Sequence, residues 1–386
     1  MQDHMKRTEM QIGNKTIGPS CDVFVVAEAG VNHDGNVGKA HKIIDAAADS
    51  GADAIKFQTF RADRLMIAGR ERLEQQENPG ESAFEMFRRL ELSWEDHENL
   101  KKHADERQLC FLSTPFDEES ADFLARLGVP AFKIASSDIT HTPLLKNVGA
   151  KGKPVLLSTG MSFLNEVADA LWTLKSAGAR DILLMHCVSL YPAPPESVNL
   201  RAILTLRKQF DLLIGYSDHS QGVTIPLAAA VLGAVLLEKH FTLDKAAPGP
   251  DHKLSMDPTD LALLIRNLRE IESALGDGRK RPAAEEAKCR TLSRRSVVAT
   301  VDIRAHEIVA PWMLSCKRPG GGIEPKELNR VVGMRARRNL CRDTILTWHD
   351  LVPTGNADRN EDGSIVEETA NPVPPVHSIQ ASKSHA

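Results

Sequence analysis

The sequence predicts a (β/α)8 barrel followed by a small β-rich domain. Between residues 22 and 276, eight short apolar runs alternate with longer amphipathic segments, which is the pattern of a barrel built from eight strand–helix units. From residue 294 the pattern changes to short β-rich runs separated by Gly and Pro, which indicates a second, smaller domain. An open doubly wound sheet is the structural alternative, but no GxGxxG motif opens the first unit.

Each predicted barrel strand is an apolar run bounded by polar residues. In chain order the runs are DVFVVAE (22–28), DAIKFQTF (53–60), LCFLSTPF (109–116), PAFKIASSD (130–138), KPVLLSTGM (153–161), DILLMHCVSLYPAPP (181–195), DLLIGYSDHS (211–220) and AVLLEKHF (234–241). The segments between the runs have helical spacing, and the one at 93–108 opens with Ser93 and Asp96 in a capping box. The long charged stretch 61–93 predicts a functional loop with short helices, for example a lid.

The remaining segments set the domain limits. We expect the barrel domain over residues 21–276, preceded by an N-terminal extension at 1–20 and followed by a polar linker at 277–293. The small domain then covers 294–353. The last stretch, 354–386, is polar, contains proline and shows no periodicity, so it is predicted to be a disordered tail.

Composition excludes several classes of protein. The 386 residues carry a formal net charge of -4 and are 5% aromatic, so neither a basic surface for nucleic acid nor stacking platforms for single strands are expected. No apolar run is long enough to span a bilayer, and residues 1–20 lack the apolar core of a signal peptide. The six cysteines form no CxxC pair, so we expect a cytoplasmic protein with reduced thiols and no membrane partner.

Polar side chains follow every predicted strand. In a barrel the C-terminal strand ends converge on one mouth, where the chemistry takes place. A buried charge at such a position needs a partner, either another side chain or a ligand. Each residue alone is more commonly an ordinary loop residue, but together they predict an active site. They are Glu28, Lys56, Gln58, Ser113, Thr114, Lys133, Ser136, Asp138, Ser158, Thr159, His186, Ser189, Ser217, Asp218, His219 and His240.

Two histidines lie at the ends of neighbouring strands. His219 belongs to GYSDHSQG and His240 to EKHF, with an apolar helix and strand between them. Two imidazoles so placed, with Asp218 beside the first, suit one divalent cation or one acidic ligand. The alternative is that His219 caps a turn and His240 is an ordinary surface histidine.

Two lysines lie inside apolar strands. Lys56 and Lys133, surrounded by strand-end hydroxyls, suit a phosphate and a carboxylate. Each lysine alone would be a snorkelling surface group, and Lys133 is also a candidate Schiff-base lysine. The histidine pair favours metal-assisted chemistry instead. Candidates to bind a polyhydroxylated partner are Glu28, Gln58, Asp218 and Asp251, and candidates for the acid or base are Glu28 and Asp138.

The ordered motifs resemble those of a known family. VVAEAGVNHDGN, DAIKFQTF, FLSTPFD, FKIASSD, VLLSTGM, HCVSLYPAP, IGYSDHS and LEKHFTLD are similar to motifs of the sialic acid (N-acetylneuraminate or nonulosonate) synthase family. SVVATVDIRAHEI, CKRPGGGI and VGM resemble its C-terminal SAF (antifreeze-like) domain. The resemblance covers roughly residues 20–352.

The resemblance implies an enzyme that condenses phosphoenolpyruvate with an N-acetylated hexose. The product is a nine-carbon 2-keto acid, and phosphate leaves by C–O cleavage. The hexose is N-acetylmannosamine or a 2,4-diacetamido-2,4,6-trideoxyhexose, and the loop GPDHKLS (249–255) is similar to that of relatives acting on the latter. The family needs Mn²⁺ or Mg²⁺ and forms a homodimer in which the SAF domain is swapped onto the other subunit.

The resemblance also assigns residues. It implies metal binding by His219 and His240, and catalysis by these two with Glu28 and Asp138. The phosphoenolpyruvate contacts would be Lys56, Thr114, Lys133, Ser136, Ser158, Ser189 and Ser217. The sugar contacts would be Glu28, Gln58, Tyr191, Asp251 and Arg318, the last from the KRPG turn of the other subunit.

Two of these positions depart from relatives. Asp138, expected to orient or deprotonate a water, stands where bacterial relatives commonly carry Glu, and Ser189 stands where some carry Asn. Two rival functions remain open. One is another phosphoenolpyruvate-dependent 3-deoxy-keto acid synthase, which would not account for the SAF domain. The other is a non-catalytic carbohydrate-binding protein, which would not account for the full set of strand-end residues.

Overall fold

The computed structural model describes residues 9–69 and 80–354. It divides into two compact units, with the boundary between Gly278 and Arg279. The predicted tail from residue 355 onward and residues 70–79 lie outside the described residues. Within the described ranges, none of the helices combines the length and apolar character needed to cross a bilayer.

The first unit contains eight parallel strands arranged as a barrel. The strands are β1 (Phe24–Gly30), β2 (Ala54–Thr59), β3 (Cys110–Pro115), β4 (Phe132–Ile134), β5 (Val155–Ser158), β6 (Ile182–Cys187), β7 (Leu213–Asp218) and β8 (Leu236–His240). Their order in the sheet is β3-β2-β1-β8-β7-β6-β5-β4, so the first and last strands of the barrel pair with each other. The two ends of this order, β3 and β4, lie against each other, which confirms the predicted barrel.

A helix of 8 to 18 residues follows each strand, as predicted. The predicted capping box is present, because Ser93 accepts from the backbone N–H of Asp96 and the Asp96 carboxylate accepts from that of Ser93. The helices are α1 (Val37–Asp49), α2 (Trp94–Glu106), α3 (Glu118–Leu127), α4 (Thr142–Gly149), α5 (Leu164–Ala177), α6 (Ala202–Phe210), α7 (Thr224–Val231) and α8 (Pro258–Leu275).

Alternation along the strands divides the barrel interior into two layers. The lower layer is apolar and consists of residues such as Phe24, Val26, Leu112, Leu156 and Leu236. Because side chains at i and i+2 share a face, the next inward positions toward the C-terminal ends are polar. These positions are Glu28, Lys56, Thr114, Lys133, Ser158, Ser217 and Glu238.

The segment before the first barrel strand takes part in the lower layer. A hairpin of two short strands, Met10–Ile12 and Lys15–Ile17, places Met10, Ile12 and Ile17 in the same hydrophobic cluster as the barrel interior. Sequence reasoning treated residues 1–20 only as an extension. The described part of this segment instead contributes to the core of the first unit.

The excursion between β2 and α2 forms an apolar cluster. Its described part contains the short helices Ala62–Leu65 and Ala83–Leu90, as expected for a loop with helices of its own. Val31, Phe60 and Met86 form the centre of this cluster, with further apolar residues packed against them.

The second unit is small and rich in short strands. It contains α9 (Glu286–Ser293), within the predicted linker, and two antiparallel strand pairs. Val297, Ile303, Val309, Leu340 and Leu346 belong to its core. The strands are β9 (Ser296–Ala299), β10 (Leu314–Lys317), β11 (Arg335–Ala336) and β12 (Leu351–Val352).

Candidate active site

A cavity of about 450 Å³ lies at the C-terminal ends of the barrel strands. Thirteen of the site residues predicted from the sequence line it. Asp138 and Arg318 do not, and neither do the predicted strand-end residues Ser113, Thr159, His186 and Asp218. Ser113 instead bonds Thr59 Oγ1, and Thr159 and His186 bond backbone carbonyl oxygens. The polar lining of the cavity comprises Glu28, Lys56, Gln58, Thr114, Lys133, Ser136, Ser137, Ser158, Ser189, Tyr191, Ser217, His219, Glu238, His240 and Asp251. Thirteen predicted residues scattered over 224 positions of the chain therefore meet at one mouth, as the barrel requires.

Four buried ionisable side chains form the floor of this cavity. The Nζ of Lys56 lies 2.8 Å from Oε2 of Glu28 and 3.7 Å from Oε2 of Glu238. The Nζ of Lys133 donates to Oε1 of Glu238 over 3.2 Å. All four side chains are at least 95% buried, so each ammonium group depends on these carboxylates for compensation.

The pKa values of the two carboxyl groups are shifted in opposite directions. Burial raises the pKa of Glu28 above its usual range, and this outweighs the opposing effect of Lys56. Burial also acts on Glu238, but Lys133 and Lys56 on either side hold its pKa below the usual range. Two carboxyls with pKa values pushed apart are typical of an acid/base site. The floor thus combines two lysines with one carboxyl group of raised and one of lowered pKa, which favours binding of an anionic ligand.

Hydroxyl groups surround the two ammonium groups. Thr114 Oγ1 accepts a hydrogen bond from Lys56 Nζ over 3.0 Å, and Ser217 Oγ donates to Glu238 over 2.9 Å. Ser158 Oγ is buried without a hydrogen-bond partner, as are Glu238 Oε2 and His240 Nδ1. Buried polar atoms are normally satisfied, so these orphaned atoms on the cavity wall point to a bound polar ligand.

A glycine allows two of the serines to approach each other. Gly160 follows β5, and its N–H donates to Ser136 Oγ over 3.0 Å. A Cβ at this position would lie 2.5 Å from Ser189 Oγ and 2.8 Å from Ser136 Oγ. Only glycine therefore leaves both hydroxyls at the cavity.

The rings of the two histidines lie next to each other at the cavity, inclined by 61°. The ring centroids are 5.2 Å apart. His219 Nδ1 lies 2.7 Å from the carbonyl oxygen of Val188 and therefore carries the hydrogen, which leaves Nε2 as a free donor atom. Burial lowers the pKa of His240 well below its usual value, so this ring is neutral and its unpartnered Nδ1 lies 3.5 Å from Asp251 Oδ2. Two such nitrogens match the ligands that divalent transition metals accept.

The donor set for a cation is nevertheless small. Among residues 9–69 and 80–354 no group of three or more His, Cys, Asp or Glu side chains is placed to hold a metal ion. The chain would supply two imidazoles and leave the other positions to water or substrate. Burial alone would lower the pKa of His219, but the nearby Cys187 raises it on balance. A raised pKa favours the protonated ring, and a cation that binds the ring would displace its proton.

Asp218 is not part of the site, contrary to the expectation from its position beside His219. Its carboxylate pairs with Lys239 Nζ over 2.7 Å and accepts from Tyr216 Oη over 3.0 Å. Alternation explains this, because residue 218 and its partners point to the opposite face of their strands from Ser217. The same rule applied to EKHF identifies Glu238, two residues before His240, which sequence reasoning left without a role.

Asp138 and Arg318 have no contact that tests their predicted roles. Asp138 lies in the turn Ser136–Asp138 after β4, outside the cavity lining, with Ser137 Oγ at 3.2 Å and His141 Nδ1 at 3.8 Å. Arg318 follows β10 in the second unit. Both assignments stay predictions.

Comparison with known proteins identifies the class to which this fold and site belong. Residues 43–280 match the model of the NeuB family, and residues 294–352 match that of the SAF domain. The chain is 43% identical over 346 residues to the N,N'-diacetyllegionaminic acid synthase of Legionella pneumophila, covering 88% of this chain and 97% of the relative. It is 35% identical to the human N-acetylneuraminate-9-phosphate synthase, covering 86% and 92%.

Comparison with solved structures gives the same class of protein. The sialic acid synthetase of Leptospira borgpetersenii, in complex with citrate, has a TM-score of 0.67 and 36% identity over 72% of this chain and 94% of that one. The spore coat protein SpsE of Bacillus subtilis has a TM-score of 0.61 and 38% identity, covering 90% and 100%. The protein is a sialic-acid-type synthase, as predicted. It belongs to the NeuB family.

Proposed function

We propose that the protein condenses phosphoenolpyruvate with a 2,4-diacetamido-2,4,6-trideoxyhexose. The products are a nine-carbon 2-keto acid and phosphate. The observation that carries the proposal is the pairing, in one cavity, of two buried lysines with two adjacent histidines. The lysine side suits an anion, and the histidine side suits a polarised carbonyl group.

Phosphoenolpyruvate is assigned to the lysine side. Lys56 and Lys133 would bind its phosphate and carboxylate, replacing part of their present pairing with Glu238. Ser158, whose hydroxyl has no partner, and the serines beside Gly160 would donate hydrogen bonds to the same anion. Charge-assisted hydrogen bonds of this kind are roughly twice as strong as neutral ones.

The sugar is assigned to the opposite side, around β1. Gly30 has a positive φ of 52°, and a Cβ there would lie 3.3–3.6 Å from polar atoms of Glu28, Asp251 and Gln58. Three polar groups thus converge on one point, as recognition of sugar hydroxyls or amides requires. Tyr191, whose ring centroid is 4.2 Å from that of His219, would add an apolar face for the sugar.

The chemistry follows from these positions. A divalent cation, Mn²⁺ or Mg²⁺ held by His219 and His240, would act as a Lewis acid on the sugar aldehyde. C3 of phosphoenolpyruvate bonds to the aldehyde carbon, and Glu28, with its raised pKa, gives the proton that the aldehyde oxygen takes up. Water adds at C2, and the C–O bond to phosphate then breaks. Asp138, in the turn beside Ser136 and outside the cavity lining, stays the predicted acceptor for the proton of that water.

One wall of the cavity favours the diacetamido sugar over N-acetylmannosamine. Leu65, Met66, Met86 and Phe87 from the β2–α2 excursion, with Val31 and Phe116, make this wall apolar. A sugar hydroxyl facing it without a partner would lose about 1–3 kcal/mol, whereas methyl groups of a deoxy carbon or an acetamide fill such a wall favourably. The relative at 43% identity named for N,N'-diacetyllegionaminic acid supports the same choice.

The proposal also includes a homodimer in which the SAF domain of one subunit lies at the barrel of the other. It includes a cytoplasmic location as well. Met161 and Phe163, beside the barrel mouth, are 69% and 77% exposed, and exposed apolar clusters commonly mark protein contacts. In the dimer the partner subunit's Arg318 would contact the sugar N-acetyl group. Arg318→Ala should therefore raise the sugar KM far more than the phosphoenolpyruvate KM, and equal increases would refute this role.

Phosphate release from phosphoenolpyruvate tests the function. The reaction should require an N-acetylated hexose, proceed with higher kcat/KM on the diacetamido sugar than on N-acetylmannosamine, and stop when EDTA removes the cation. Release with an unacetylated aldose alone would instead indicate a 3-deoxy-keto acid synthase. No release with any sugar would indicate a carbohydrate-binding protein.

A further inference from the structure

The loop between β8 and α8 carries Asp251 and closes on itself at its base. The N–H of Thr242 donates to the carbonyl oxygen of Met256 over 2.9 Å, and the N–H of Met256 donates to that of His240 over 2.8 Å. Asp251 sits near the tip, directly before the short helix His252–Leu254. The closed base alone does not fix where the tip points, so the position of Asp251 depends on further contacts.

His252 supplies one of these contacts from a fully buried position. Its Nδ1 lies 2.7 Å from Thr242 Oγ1 at the base of the loop, and its Nε2 lies 3.2 Å from Asp34 Oδ1 in the loop after β1. An ionised carboxylate only accepts hydrogen bonds. Nε2 therefore donates to Asp34, and Nδ1 contacts the Thr242 hydroxyl, which also bonds the backbone of Asp244. His252 thus connects the tip of the loop both to its base and to the neighbouring β1 loop.

Asn32 supplies a second contact between the same two loops. Its Nδ2 donates to the carbonyl oxygen of Phe241 and to Ser255 Oγ, each over 2.9 Å. Ser255 Oγ in turn donates to the carbonyl oxygen of Asp251 over 2.6 Å. The backbone of Asp251 is therefore held from the β1 loop through two consecutive hydrogen bonds.

The result is a defined position for the Asp251 carboxylate. Its Oδ2 lies 3.5 Å from His240 Nδ1 and faces Gly30 at the end of β1. We propose that His252, acting through Asp34 and Thr242, is a positioning residue that holds Asp251 at the sugar side of the cavity. The inference rests on the proposed function, in which Asp251 contacts the sugar.

The test compares His252→Ala with His97→Ala. His97 is an equally buried histidine that also uses both ring nitrogens, toward the Ser93 carbonyl and Thr59 Oγ1, but it lies on α2 away from the loop. His252→Ala should raise the sugar KM by about tenfold, because it removes the charge-assisted hydrogen bond to Asp34. The phosphoenolpyruvate KM should stay nearly unchanged. His97→Ala should leave the ratio of the two KM values as it is in the wild type.

A double-mutant cycle shows whether the effect passes through Asp251. In an Asp251→Asn background, His252→Ala should add little to the sugar KM, because the group that it positions is already altered. Fully additive effects, or equal increases in both KM values, would overturn the proposal. Should His252→Ala fail to fold, Thr242→Val removes one contact of the same ring without changing the shape of the side chain.

Hydrogen exchange separates failure of this inference from failure of the proposed function. His252→Ala should speed amide exchange in residues 249–256, and His97→Ala should not, whether or not any sugar is turned over. Unchanged exchange in that loop would overturn the positioning role. Faster exchange in a protein that releases no phosphate with any sugar would uphold the positioning role of His252 and refute the proposed function.

Discussion

The two sides of the cavity are built from different parts of the barrel. On the lysine side, Lys56, Lys133 and Ser217 stand on strands whose directions are fixed by backbone register. On the sugar side, Asp251 stands on a loop that is held by side-chain hydrogen bonds from another loop. The two lysines are therefore as fixed as the sheet, whereas Asp251 depends on a few contacts that loop changes can alter without disturbing the barrel.

The largest effect is expected where the two sides meet. His219→Ala should lower kcat by roughly a thousandfold, because it removes one of the two imidazoles proposed to hold the activating cation. Steady-state phosphate release measures the effect, with circular dichroism and sedimentation to confirm folding and assembly. His186→Ala is the matched control, since this β6 histidine lies 2.7 Å from the Val198 carbonyl and should keep most of its turnover. Substantial metal-dependent activity in His219→Ala would contradict the assignment.

A smaller effect is expected from disturbing only the lysine side. Gly160→Ala would place a methyl group within 2.8 Å of the Ser136 and Ser189 hydroxyls, and such overpacking costs about 1–3 kcal/mol. The phosphoenolpyruvate KM should rise by about tenfold while the sugar KM changes little. Gly152→Ala, at a glycine with no neighbouring atom within 4 Å, controls for general loss of stability. An increase confined to the sugar KM would reverse the assignment of the two sides.

The smallest effect is expected from the apolar wall. Met66→Gln keeps the length of a partly exposed side chain but adds an amide that can hydrogen-bond a hydroxyl. The preference for the diacetamido sugar over N-acetylmannosamine, measured as a ratio of kcat/KM values, should fall by about fivefold. The phosphoenolpyruvate KM should not change. An unchanged ratio would show that the wall does not select the sugar.

The same difference between strands and loops explains what the sequence could predict. Alternation of apolar runs and helices predicted all eight barrel units, and strand-end position predicted Lys56, Lys133, His219 and His240 as members of one cavity. Glu238 lies two residues before His240 and so shares its face of the strand, which means that the same reasoning could have predicted it. Assigning Asp218 to the site broke that rule, since it lies one residue from Ser217 and pairs with Lys239.

Loop contacts were beyond such reasoning. Asn32 contacts a carbonyl 209 residues away, and His252 contacts Asp34 across 218 residues. Nothing in either local sequence indicates its partner, because loop conformation follows no fixed period. The position of Asp138 outside the cavity lining is likewise a property of the turn after β4 and not of the motif.

The central claim is that the strand lysines bind the anion and the loop residue Asp251 binds the sugar. Binding of phosphoenolpyruvate alone tests this claim most directly. Calorimetric titration of the wild type, Lys133→Met and Asp251→Asn, each checked for folding, separates the two sides. Lys133→Met should lose phosphoenolpyruvate binding by about a hundredfold, whereas Asp251→Asn should bind it as the wild type does. Wild-type affinity in Lys133→Met, or an equal loss in Asp251→Asn, would contradict the account.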